Sequence, residues 1–105
     1  AEDNIQVQCR YMAYSCGDCQ PQYQVKEAYK ETSVIQELLG KDIYLEFENE
    51  GKQRAFEELE AHCAICFLYK LKGNLRYSLA KGYTLHVKEY NLEQTQGCCD
   101  DSRNN

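Results

Sequence analysis

Tryptophan is absent from these 105 residues, and proline and methionine occur once each. No apolar run approaches the ~20 residues that a bilayer-spanning helix requires. The longest apolar stretch, Ala64 to Leu71, is interrupted by Lys70. The chain therefore reads as soluble, with no membrane span. Positive charge is also scarce. Seventeen acidic residues outweigh 12 basic ones and leave a net charge of −5. A protein that tracks phosphates usually carries a basic stripe, so nucleic acid is disfavoured as a partner. The densest basic stretch is Lys70, Lys72, Arg76, Lys81 and Lys88. It falls on strand-like sequence and reads as a solvated strand face. Phosphate-cradling glycine loops, HExxH and Gly-x-Ser-x-Gly are all missing. No catalytic residue can be singled out. Glu57, Glu58 and Glu60 read as a solvated acidic helix face. His62 and Cys63 are no nucleophile–base pair, because adjacent helical side chains diverge by about 100°.

What is abundant is sulfur and tyrosine. Seven cysteines occur in a chain of single-domain length, with nine tyrosines against three phenylalanines. Tyrosine joins an apolar ring to a polar tip, which suits half-buried strand faces and binding surfaces. The opening Ala1-Glu2-Asp3, without an initiator methionine, fits processing after a small-residue signal site. The expected location is secreted or periplasmic.

Hydrophobic periodicity divides the chain. Asn4 to Tyr14 alternates, with Ile5, Val7, Cys9, Tyr11 and Ala13 on one face, as in a half-buried strand. Cys16-Gly-Asp-Cys19 makes a turn, and Pro21 follows. Gln22 to Tyr29 resumes as a strand, with Tyr23 and Val25 on one face, completing a hairpin with a long or bulged loop. Ser33 and Gln36 suggest a capping box that opens a short helical turn, stopped by Gly40. Asp42 to Glu48 is the third strand, with Ile43, Leu45 and Phe47 inward and Tyr44 outward. Asn49 to Gly51 breaks it. Lys52 to His62 reads as a helix with Phe56, Leu59 and Cys63 on one face. Ala64 to Ser78 alternates throughout, so a continuous strand bent at Gly73 is favoured over a Gly73-Asn74 hairpin turn. Ala80 to Gly82 turns the chain into a last strand, Tyr83 to Leu92, with Tyr83, Leu85 and Val87 inward.

This order is mainly β with one or two short helices, and the helix falls between strands 3 and 4. It resembles a five-stranded OB-like Greek-key barrel, in the layout of small periplasmic OB-type bacterial domains. The resemblance covers Ile5 to Leu92 and is one of element order. It implies one domain over residues 1–93 and a polar, cysteine-containing tail over 94–105. It also implies a binding surface on strands 2 and 3, flanked by the loops Cys16 to Gln22 and Leu79 to Gly82. Tyr23 and Tyr44 are the candidate contact residues.

Cys9, Cys16, Cys19, Cys63, Cys66, Cys98 and Cys99 are all disulfide candidates. An odd count leaves one cysteine free or joining two copies as a disulfide-linked dimer. In the implied barrel, Cys9 approaches the end where Cys63 and Cys66 lie, so a bridge from Cys9 to one of them is expected. The alternative is a zinc-binding structural domain using Cys16, Cys19, Cys63 and Cys66, with His62 and His86 as further possible ligands. Against it, the separation between the pairs is long and the barrel puts them at opposite ends. A third reading, a thiol oxidoreductase, lacks a helix N-terminus at either CxxC to lower a thiol pKa. No cofactor is favoured. The leading expectation is a disulfide-stabilised binding module without catalysis, for a protein, peptide or glycan. Intact-mass measurement should show the native chain lighter than the reduced chain by about 2 Da per bridge. One zinc per chain with free thiols would replace that reading.

Overall fold

The computed structural model describes residues 2–12, 20–61 and 64–95. Six strands, one α-helix and two 3-10 turns follow in sequence: β1 (Glu2–Met12), β2 (Gln22–Lys30), β3 (Ser33–Val34), the turn Gln36–Leu38, β4 (Asp42–Glu46), α1 (Glu50–Glu60), the turn Ala64–Cys66, β5 (Phe67–Ser78) and β6 (Gly82–Gln94). All strands belong to one mixed sheet in the order β1-β5-β6-β4-β2-β3, and β1 also pairs with β2. The pairings therefore close a ring, β1-β5-β6-β4-β2-β1, with the two-residue β3 hung on the end of β2. Only the β4–β6 pair is parallel among these; the other strand pairs run antiparallel.

Ile5, Val7, Cys9, Val25, Ile43, Leu71, Leu75, Leu85 and Val87 meet inside the ring. Strict alternation does not carry through two of the strands. In β2, Val25 pairs with Cys9 and Glu27 with Gln8, so Lys26 is an extra residue. The inward set consequently moves from Tyr23 and Val25 to Ala28. In β6, Val87 pairs with Gly73 and Glu89 with Lys72, so Lys88 bulges. Inward positions move from Leu85 and Val87 to Tyr90 and Leu92. A bulge adds one residue to one strand and flips the side chains beyond it.

Gly73 sits opposite the second bulge. A Cβ built there would lie 2.0 Å from the His86 backbone oxygen and 3.2 Å from the Lys88 nitrogen. Glycine is needed because the neighbouring backbone occupies the space of a side chain. The favoured reading of a continuous, glycine-bent strand therefore holds from Phe67 to Ser78, whereas Ala64–Cys66, expected in the same strand, forms a 3-10 turn.

Other local expectations shift. Ser33 does not cap a helix. It pairs with Lys30 in β3, and the 3-10 turn begins three residues later, after Ile35, with no side-chain cap. The strand pairing competes for the same backbone. The expected break at Asn49 is a helix cap: its side chain accepts from the Lys52 N–H at 2.9 Å, so α1 starts at Glu50. Leu59 points away and is 56% exposed, leaving Phe56 as the buried apolar anchor of α1. Phe56 packs on Phe47, Tyr69 and Tyr90 with ring centroids 4.9, 5.8 and 5.1 Å away, and so closes one end of the ring.

Gly73→Ala should lower unfolding stability in urea by about 2–4 kcal/mol, because backbone, not a movable side chain, must yield. Phe56→Ala should cost about 3–5 kcal/mol in the same assay, with loss of near-ultraviolet tyrosine ellipticity.

Candidate functional site

The outer face of β4, β6 and β5 is set by two registers. Parallel pairing places Tyr44 beside Thr84 and Glu46 beside His86. Antiparallel pairing places Thr84 opposite Arg76 and His86 opposite Asn74. Because Ile43, Leu75 and Leu85 point inward, their neighbours in sequence point outward together. Glu46 accepts a hydrogen bond from Arg76 and lies 3.5 Å from Nδ1 of His86. Tyr44 is half-buried. Its hydroxyl accepts from Gln22 Nε2 at 2.8 Å, and Lys81 Nζ stands 5.6 Å from its ring centroid. Two hollows share Arg76 on this face. One, of about 260 Å³, is lined by Glu46, Tyr77, Lys81 and Thr84; the other, of about 300 Å³, by Asp3, Asn74, His86 and Lys88.

The two strands of the β5–β6 hairpin stay paired to its tip, ending at Ser78 and Gly82. Gly82 has φ +83°, the left-handed residue that closes such short loops, and the Lys81 N–H bonds Ser78 Oγ at 3.1 Å. Tyr77 and Tyr83 face each other across the strands at 4.9 Å. Of the two loops named from the resemblance, Leu79 to Gly82 reaches Tyr44 through Lys81. Of the other expected loop, residues 20–22 are described and residues 16–19 lie outside the described residues.

Tyr23 is not part of that surface. It is 3% exposed, on the inner face with Val25, and touches the rings of Tyr11, Phe56 and Tyr69. Its hydroxyl donates to Glu60 at 3.0 Å, and the Tyr69 hydroxyl donates to the same carboxylate at 2.6 Å. Glu60 is thus no solvated face residue. It follows Phe56 by four positions and so shares its side of α1. That spacing was the available signal. Burial raises the Glu60 carboxyl above the usual glutamate range, the two hydroxyls partly oppose this, and Glu57 adds to it. Burial followed by the facing carboxylate raises both tyrosines. The adjoining hollow is about 60 Å³, room for about two waters at ~30 Å³ each. The cluster is built to hold α1 on the ring.

Cys9 is a free, buried thiol rather than half of a bridge to Cys63 or Cys66. It faces the interior of β1, between Val25 and Tyr69 on the flanking strands, and burial pushes its thiol pKa up. This is the opposite of an activated nucleophile. Cys66 is buried and disulfide-bonded. Cys16, Cys19, Cys63, Cys98, Cys99 and His62 lie outside the described residues. Among the described residues, no three His, Cys, Asp or Glu side chains gather around a metal-sized point. His86 is engaged with Glu46 instead.

The basic stretch is interleaved with carboxylates. Lys70 pairs with Glu93 at 3.5 Å, Lys72 with Glu89 at 4.0 Å, and Arg76 with Glu46. No helix among the described residues is long and apolar enough to cross a membrane. Comparison with protein-family models, with curated proteins and with solved structures returned no match in any of the three.

Tyr69→Phe should cost about 1–2 kcal/mol, since the half-buried Glu60 loses its shorter donor. A carboxyl held above its unfolded pKa keeps its proton longer when folded. Its contribution is full below the unfolded value and is lost as pH rises through the folded one. Urea midpoints measured upward from about pH 4.5 should therefore fall less steeply in Glu60→Gln than in the parent.

Proposed function

We propose that the chain is a secreted or periplasmic, disulfide-stabilised binding module without catalysis, built as a five-stranded OB-like Greek-key barrel. Support for the barrel is the ring of pairings with α1 between the third long strand and β5. Support for the compartment is the half-cystine at Cys66, a bond that persists in oxidising surroundings. The observation that carries the binding role is the convergence on Tyr44. Gln22 from the start of β2 and Lys81 from the hairpin tip both engage this one outward aromatic, beside the Arg76–Glu46 pair. An aromatic ring flanked by paired charges on rigid strands is the composition of a protein-contact hot spot. The partner is a peptide segment of another protein, with the ring taking an apolar side chain and Arg76 and Glu46 fixing its polar groups.

A random peptide display library panned against the oxidised chain tests this. Selected peptides should lose at least about tenfold in affinity on Tyr44→Ala, with the variant still folded by circular dichroism at the assay temperature. No enrichment, or binders indifferent to both Tyr44→Ala and Arg76→Ala, would refute the assignment. Capture of saccharides on a glycan array by the same face would replace peptide with glycan.

A further inference from the structure

The two ends of the ring are closed differently. Phe56 and its aromatic neighbours fill the α1 end. At the other end, Leu38 from the 3-10 turn is buried, but Ile35, Leu38, Leu75, Tyr77 and Tyr83 leave an apolar slot of about 150 Å³, rimmed by Glu37 and Arg76. Apolar side chains around this end stay in water. Tyr77 is 58% exposed, and Leu79, at the hairpin tip, is 94% exposed. A leucine presented this fully on a rigid hairpin is a protruding knob beside a hole.

We propose that this end is a self-association surface, in which Leu79 of each copy enters the slot of the other across a two-fold axis. The occupant is a second copy of this chain for three reasons. Knob and slot lie at one end of the same molecule, so a two-fold contact uses each of them twice and closes at two subunits. The slot offers the space of about five waters at ~30 Å³ each, enough for a four-carbon leucine side chain. The rim is complementary as well. Lys81 stands two residues beyond the Leu79 knob and meets the Glu37 rim of the second copy. In a chain of net charge −5, such an opposed pair offsets the general repulsion between copies. The contact shares Arg76, Tyr77 and Lys81 with the edge of the Tyr44 face but leaves Tyr44 itself outside, and goes beyond the peptide-binding role.

Sedimentation equilibrium of the oxidised chain from about 5 to about 500 µM reads the outcome. A reversible dimer is expected, with non-reducing electrophoresis showing single chains. Leu79→Asp should weaken it at least about tenfold while leaving the thermal midpoint of the dilute, monomeric chain unchanged, since Leu79 is 94% exposed in one copy. Lys81→Glu and Glu37→Lys should each weaken it, and their combination should restore it. A monomer throughout, a dimer indifferent to Leu79→Asp, a double charge swap without rescue, or an interchain disulfide each overturns the proposal. A monomer that still binds library peptides through Tyr44 fails this inference alone and leaves the peptide-binding reading standing.

Discussion

The whole ring depends on one close approach of backbone to backbone, that of Gly73 to the carbonyl of His86. With no side chain at that point, β6 can carry the extra residue Lys88 against β5 and coil tightly. The coil is what lets the two long strands be shared. β5 reaches β1 on one side, and β6 reaches β4 on the other. Without it the hairpin would keep only the ordinary twist of a two-stranded ribbon, and the side chains of β6 beyond Lys88 would face the other way. The same bulge rotates Tyr90 and Leu92 inward, so the aromatic packing around Phe56 depends on it too.

Strand positions were legible because their periodicity is strong. The alternation from Phe67 to Tyr77 identified β5, and its continuity through Gly73 could be argued from that pattern alone. The register beyond each bulge could not, since a one-residue insertion leaves no mark in composition. Ala28 and Tyr90 are inward for a reason found only on the partner strand. Ser33 and Asn49 show the limits of local capping logic. Both carry the right chemistry, but only Asn49 is free of a strand that competes for its backbone.

At the site, Tyr44 could be placed outward by parity, but its contact with Lys81 of the hairpin tip joins residues 37 positions apart and left no mark in the sequence. Tyr23 was misassigned despite a face shared with Val25. A tyrosine looks amphipathic in sequence, and the carboxylate that satisfies its hydroxyl inside is 37 residues away. Glu60 was hidden for the complementary reason: an acid among acids on a helix looks solvated until its two tyrosine donors are seen. The slot at the open end joins residues from the 3-10 turn to the hairpin, a juxtaposition that only the closed pairing creates.

Cys9 gives the molecule an internal clock for its own opening. Its sulfur lies in the middle strand of three, fully enclosed, with β2 on one flank and β5 on the other. A water-borne alkylating reagent reaches it only when one of those seams parts. Under excess reagent, the rate at which the Cys9 thiol itself is consumed in the native protein, read by peptide mapping, therefore counts how often the seam unzips, and distinguishes that event from fraying at the rim.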